Sequence, residues 1–127
     1  DIYVSLKNPA DLPVTLLWFS NGGRDYAPWN GRHVGVQGIE EGRTFGAAGL
    51  EASINPNALT EQGVPTALVL DPDGEVEVRN VIGGLPLPAG CTRAAGVSAG
   101  PDSLTVTDES GASLTVPYDA SFLARSR

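Results

Sequence analysis

The chain has 127 residues, 41% of them hydrophobic, with 16 glycines and 10 prolines. This composition suits one folded domain over residues 1–127 and indicates many turns, hence an all-β architecture. The net charge of -7 and the pI near 4.4 argue against nucleic acid as a partner. The apolar runs are too short to span a bilayer, so we expect an acidic soluble protein with no membrane partner.

Cysteine and histidine are scarce. Cys91 is the single cysteine, which excludes an intramolecular disulfide and gives the cytoplasm as the expected location. One cysteine and one histidine are too few for a usual zinc site. The sequence also lacks a phosphate-binding loop and a nucleophile elbow. We therefore expect neither a metal nor a cofactor.

The first strands are predicted from their apolar patterns. The chain begins at Asp1 directly in a strand-like run and contains no methionine, so we keep open that it is part of a longer protein. Residues 2–6 alternate between apolar and polar, which places their apolar side chains on one face. Residues 14–19 form a nearly continuous apolar run, typical of a central sandwich strand. We expect Trp18 within this run to be buried in the core.

A third strand is predicted from Val34, Val36 and Ile39. Its alternation is disturbed by Gly35 and Gly38. Glycines inside a strand often mark a bulge or a close backbone approach.

Two hairpins are predicted around turns that end in glycine. The first joins residues 66–70 to residues 75–82 across Asp71-Pro72-Asp73-Gly74, with the valines of the second strand facing the core. The second joins residues 104–107 to residues 113–116 across Asp108-Glu109-Ser110-Gly111. The remaining segments 21–31, 42–56 and 83–100 are predicted to be turn-rich connectors. No helix is required, and residues 57–62 form one turn at most.

Residues 17–42 gather the side chains that carry chemistry. Both tryptophans, the only histidine, two arginines and a pair of glutamates lie in this short span. Aromatic faces, hydrogen-bonding forks and a carboxylate are what a protein needs to bind and deprotonate a polyhydroxylated ligand such as a sugar. The candidate site residues are Glu40, Trp29, Arg24, Arg32 and His33.

Each candidate also has a purely structural interpretation. Alternation along the third strand places Glu40 on the side of Val34 and Val36, and a bulge at Gly38 would place Glu41 there instead. A carboxylate in a partly dry cleft can act as a general base, whereas one at a strand end is simply solvated. Trp29 caps the core or stacks on a sugar. The arginines bind hydroxyls or form ion pairs with Asp25 and Glu40, and a lone histidine is more often structural.

Several segments between residues 15 and 82 resemble the aldose 1-epimerase (galactose mutarotase-like) superfamily. The resemblance lies in their order and spacing, since no single one is specific. They are the strand Leu17-Trp18-Phe19, the loop with Pro28-Trp29, the strand end Gly38-Ile39-Glu40, an Asn/Ala/Gly-rich stretch and Val69-Leu70-Asp71-Pro72-Asp73-Gly74-Glu75.

This resemblance implies a large antiparallel β-sandwich that binds a sugar in an open cleft. In the family a glutamate takes the proton of the anomeric hydroxyl while a histidine protonates the ring oxygen. Glu40 matches the glutamate by position, with Glu41 as the second choice. The family's histidine lies far upstream of its glutamate, so its role is not transferred to His33.

The family's domain is about twice as long as this chain, which resembles only the C-terminal half. Such a half leaves sheet edges unpaired, so we expect a missing N-terminal half, a partner chain or self-association through those edges. The first hypothesis is a carbohydrate-active protein, an epimerase-like isomerase if active, with Glu40 as base. The alternative is a non-catalytic β-sandwich that serves as a sugar-binding or structural interaction module.

Overall fold

The computed structural model describes residues 1–87 and 89–123. It contains two compact units, the first made of Asp1–Asn8 and Arg79–Arg127 and the second of Pro9–Val78. In chain order the strands and the α-helix of the described residues are β1 (Ile2–Lys7), β2 (Val14–Asn21), β3 (Val34–Gly42), α1 (Gly49–Ile54), β4 (Asn80–Leu85), β5 (Ala94–Ala99), β6 (Ser103–Asp108) and β7 (Ser113–Pro117). Short 3-10 turns occupy Gly46–Ala48, Thr60–Gln62 and Ala120–Leu123.

The first unit contains two antiparallel sheets. In one, β1 pairs with β4 from Ile2 opposite Leu85 to Lys7 opposite Asn80. In the other, β6 lies between β5 and β7. The strand predicted at residues 2–6 is therefore confirmed. The segment 83–100, predicted to be a connector, instead contributes the end of β4 and all of β5.

One hydrophobic cluster draws on both sheets of the first unit. Val4 of β1 is buried, as are Leu104 and Val106 of β6. Burial of one such side chain stabilises a fold by about 1.5–3 kcal/mol. The partly buried residues packed against this cluster are Ile2, Leu6, Leu85, Ala94, Val116 and Tyr118. The alternation predicted for β1 is confirmed, because its three apolar residues all face the cluster.

The hairpin predicted at residues 104–116 is confirmed and joins β6 to β7. Asp108 organises its turn with one carboxylate oxygen, which accepts hydrogen bonds from the Ser110 hydroxyl at 2.7 Å and from the Ser110 and Ala112 N–H groups at 2.8 and 2.9 Å. Gly111 adopts φ +89, the left-handed conformation that favours glycine.

The second unit contains the antiparallel pair β2–β3 and helix α1. The third predicted strand is confirmed as β3. Ser53 stabilises the short helix, because its hydroxyl donates to the Gly49 carbonyl at 2.8 Å and accepts from the Phe45 N–H at 2.9 Å. The segment 42–56, predicted to be a turn-rich connector in a fold that requires no helix, contains α1, and the single turn predicted at residues 57–62 is confirmed as Thr60–Gln62.

The first predicted hairpin is wrong. Its turn forms, with the Gly74 N–H donating to the Asp71 carbonyl at 3.1 Å, but residues 66–70 and 75–79 belong to no strand. Val76 and Val78 are exposed instead of facing the core. Residues 80–82, the end of the predicted second strand, belong instead to β4 and pair with β1.

The predicted all-β class with antiparallel strands is confirmed. The sandwich arrangement and the single domain over residues 1–127 stay predictions. Within residues 1–87 and 89–123, no helix is long and apolar enough to cross a membrane.

The turn at Asp108 generates a prediction about pH. Its hydrogen bond from the Ser110 hydroxyl, more than those from the backbone of Ser110 and Ala112, lowers the pKa of Asp108 below its ordinary value of 3.8, although burial acts in the opposite direction. The stabilisation is therefore present above pH 3.8 and lost as the pH falls through the lowered folded pKa. We expect Asp108→Asn to lower the free energy of unfolding near neutral pH and this difference to shrink in acid.

Urea denaturation followed by far-UV circular dichroism measures this difference at about pH 7 and about pH 3. Glu109→Gln is the matched control, since Glu109 lies in the same turn and its ion pair with Arg93 is exposed. We expect this control to change little at either pH. An Asp108→Asn effect of equal size at both pH values would contradict the account.

Candidate functional site

The loop between β2 and β3 is a compact, internally hydrogen-bonded structure. Its base is closed by the Gly22 N–H, which donates to the His33 carbonyl at 2.8 Å, and by the Gly31 N–H, which donates to the Arg24 carbonyl at 2.9 Å. The Trp29 N–H donates to the Tyr26 carbonyl at 2.9 Å. These bonds fix the backbone from which the candidate side chains project.

Arg32 stabilises this loop through hydrogen bonds to its backbone. Its Nε donates to the Trp29 carbonyl at 3.1 Å, and a terminal nitrogen donates to the Pro28 carbonyl. The ion pair considered between Arg32 and Asp25 or Glu40 is absent from the part of the chain that the structure describes. Arg32 was predicted to bind a ligand, and the structure gives it a role in supporting Trp29.

Trp18 is not part of the core, and that prediction is wrong. Its side chain is 38% exposed, and its ring lies against Gly38, the residue opposite it on β3. A Cβ at position 38 would lie 2.9 Å from Cε3 of the Trp18 ring. Of the two alternatives considered for this glycine, a bulge or a close approach, the structure shows a close approach, made by the Trp18 ring. The missing side chain lets the indole lie across the strand, and the ring stays partly open to solvent because the β2–β3 pair is only two strands wide.

Arg24 joins the two tryptophans. Its guanidinium carbon lies 5.4 Å from the centre of the Trp18 ring and 5.3 Å from that of the Trp29 ring, within range of a cation–π interaction with each. The Trp29 and His33 rings lie 5.2 Å apart with a tilt of 55°. The structure thus brings three of the predicted site residues, Arg24, Trp29 and His33, into one cluster and adds Trp18. We call these four residues the indole–arginine cluster.

The guanidinium of Arg24 has no hydrogen bond or ion pair within residues 1–87 and 89–123. The predicted ion pairs with Asp25 and Glu40 do not form there. Arg24 is exposed, so its N–H groups remain available to solvent or to a ligand.

The two glutamates of β3 lie on opposite faces of the β2–β3 pair. The ladder is irregular next to Asn21, where Gly35 is the unpaired residue with φ +64, and it is regular from Ser20 opposite Val36 onwards. Since Gly38 lies within this regular stretch, alternation places Glu40 on the face of Trp18 and Glu41 on the other.

Glu41 is engaged on its own face, accepting a hydrogen bond from the Thr15 hydroxyl at 2.7 Å. Glu40 is exposed, and Trp18 is its diagonal neighbour across the strand pair, a relationship that separates residues by about 7–8 Å. The partly dry cleft considered for Glu40 is absent, because Val34 and Val36 are exposed rather than buried. The face of β2–β3 that bears Trp18 and Glu40, together with the indole–arginine cluster, is the candidate site.

Among the described residues no group of three or more His, Cys, Asp or Glu side chains is arranged to hold a metal ion. Comparisons with protein-family models, with curated proteins and with solved structures find no match to this chain. The candidate site therefore has to be interpreted from its own chemistry.

Sequence reasoning missed Trp18 as a member of the site. The available signal was Gly38, because a glycine in one strand opposite a tryptophan in the next is a place where an indole can lie flat. That signal required the register between β2 and β3, which the sequence pattern did not provide.

The Trp18–Gly38 contact generates a prediction about stability. Gly38→Ala places a methyl group where the indole lies, so the ring must move away from the strand and from Arg24. Overpacking costs about 1–3 kcal/mol in a well-packed core, and we expect the lower end of that range here because the 38% exposed ring can move toward solvent. We expect a lower free energy of unfolding in urea denaturation and an altered near-UV circular dichroism spectrum from the displaced indole.

Gly96→Ala is the matched control, because Gly96 also lies in a strand and its added Cβ would have no neighbour within 4 Å. This control is expected to keep the stability and the spectrum of the parent protein. If Gly38→Ala behaves as Gly96→Ala does, the indole does not rest on the strand as described.

Proposed function

We propose that this chain is a carbohydrate-binding β module whose site is the face bearing Trp18 and Glu40 with the indole–arginine cluster. The single observation that carries the proposal is that Arg24 stands between two indoles on the strand face that also presents Glu40. Ring surface, N–H donors and a carboxylate acceptor are thereby combined within one short hairpin.

A sugar offers alternating C–H and O–H groups, so its site needs apolar surface for the former and donors and acceptors for the latter. Partly exposed indoles supply the apolar surface, with a polar N–H at one edge. Arg24 can donate to ligand hydroxyls, and the Glu40 carboxylate can accept from them. Together these groups complement the C–H and O–H groups of a sugar, which supports the proposal.

The exposure of the site sets the expected affinity. Arg24 and Glu40 are both exposed, so a ligand here remains partly hydrated and each of its hydrogen bonds replaces one to water. We expect dissociation constants of about 1 mM for a monosaccharide, which corresponds to about 4 kcal/mol of binding free energy.

Epimerisation of an aldose is the second candidate, and the placement of Glu40 beside the cluster favours it. In this reaction Glu40 would take the proton of the anomeric hydroxyl while the bond from C1 to the ring oxygen breaks and a solvent water donates a proton to that oxygen, and the reverse transfers would close the opened sugar on either face. The resemblance to aldose 1-epimerases supports the same chemistry for Glu40.

The two candidates are separated by Glu40→Gln. If Glu40 is the base, this variant reduces the rate of anomer interconversion, measured by polarimetry, by about 10²–10⁴-fold, because a general base contributes about that much. Thermal stability stays unchanged, since Glu40 is exposed. Calorimetric titration with a methyl glycoside, which cannot mutarotate, measures binding independently of catalysis.

Glu41→Gln is the control, because Glu41 is the sequence neighbour on the opposite face. We expect it to keep both activity and binding. Polarimetric rates equal to those of buffer for the parent protein would reject epimerisation and leave the binding module. Absence of any heat of binding across a panel of hexoses and their glycosides would reject the binding module as well.

A further inference from the structure

We propose that the sugar recognised at this site carries a carboxylate, and that Arg24 selects it. This inference rests on the proposed sugar-binding function and names the class of sugar. Its ligand class is the uronic acids and their glycosides, in which a carboxylate replaces the exocyclic hydroxymethyl group of a neutral hexose.

Arg24 differs from the other arginines that the structure describes. Each of those four has an oxygen partner: Arg32 donates to the Trp29 and Pro28 carbonyls, Arg43 to the Asp11 and Ala10 carbonyls, Arg79 to the Phe122 carbonyl, and Arg93 pairs with Glu109 at 3.3 Å. Within residues 1–87 and 89–123 Arg24 has none. Its contacts there are with aromatic rings, and these occupy none of its five N–H donors.

The indoles also hold the guanidinium in place. A free arginine side chain loses rotamer freedom when it binds a ligand, and that loss weakens binding. Two flanking rings restrict this freedom in the unliganded protein. The fork of a guanidinium matches the two oxygens of a carboxylate, which gives paired charge-assisted hydrogen bonds stronger than those to a neutral hydroxyl.

The charges around the site fix the orientation of such a ligand. Arg24 lies in the loop that follows β2, whereas Glu40 lies opposite Leu16, further from the loop than Trp18. Like charges repel, so the ligand carboxylate takes the Arg24 end and the ring hydroxyls take the Glu40 end. The net charge of -7 opposes anions in general, so the selection has to come from this local cation.

The test compares methyl β-glucuronide with methyl β-glucoside by calorimetric titration of the full chain. These ligands share a ring and differ in the exocyclic group alone. We expect the acid to bind about tenfold more tightly, as one charge-assisted contact provides. Raising NaCl from about 0.05 M to about 0.5 M is expected to weaken binding of the acid and to leave the neutral glycoside unaffected.

Two variants assign the preference to Arg24. Arg24→Gln keeps hydrogen-bond donors without the charge. We expect this variant to bind the acid no more tightly than it binds the neutral glycoside. Arg24→Lys keeps the charge without the fork, and we expect part of the preference to survive. Arg93→Gln is the matched control, because it removes an exposed arginine of the first unit and should change neither affinity. Circular dichroism verifies the fold of each variant.

The possible results distinguish a failure of the carboxylate preference from a failure of the proposed sugar binding. Equal affinity for the two glycosides overturns the carboxylate preference and leaves sugar binding intact. A preference that survives in folded Arg24→Gln overturns the assignment to Arg24. Absence of binding by both glycosides overturns this inference, and absence of binding across the whole panel of hexoses and glycosides overturns the proposed function as well.

Discussion

The pairing of β1 with β4 is the constraint on which the organisation of this chain depends. It joins residues 2–7 to residues 80–85 and so brings together the two ends of the second unit's segment. Closing a long loop has an entropic cost that grows only slowly with its length. One strand pair with the buried Val4 beside it can therefore close the loop that the second unit forms. The same ladder includes residues 80–82, whereas the preceding segment 75–79 belongs to no strand.

The candidate site depends on a smaller constraint, the space above Gly38. Because that residue has no side chain, the Trp18 ring lies against β3 at this point, and Arg24 lies within reach of both indoles. Arg32 keeps Trp29 in position by bonding to its carbonyl. The site is thus assembled from a strand pair and one loop, both within residues 14–42, and it needs no buried polar group.

The sequence predicts those parts of the structure that local chemistry determines. The turn at Asp108, the alternation of β1 and the strands β2 and β3 are local, and all are confirmed. The parts that failed depend on distant partners. The hairpin at residues 66–82 has an adequate turn, but residues 66–70 and 75–79 form no strand, and residues 80–82 pair with the distant β1. Trp18 has a core-like sequence context, and only the small width of its sheet leaves it exposed. Arg24 was a candidate from the sequence, but its contact with two rings could not be predicted without the conformation of the folded loop.

The indole–arginine cluster has a practical consequence for spectroscopy. The chain contains two tryptophans, and both contact the same guanidinium. Intrinsic tryptophan fluorescence of the whole protein therefore originates from this one locus, and a change in emission reports on the β2–β3 loop rather than on the β-sheets of the first unit. The natural sequence thus carries its own local optical probe at the candidate site, without any engineered label.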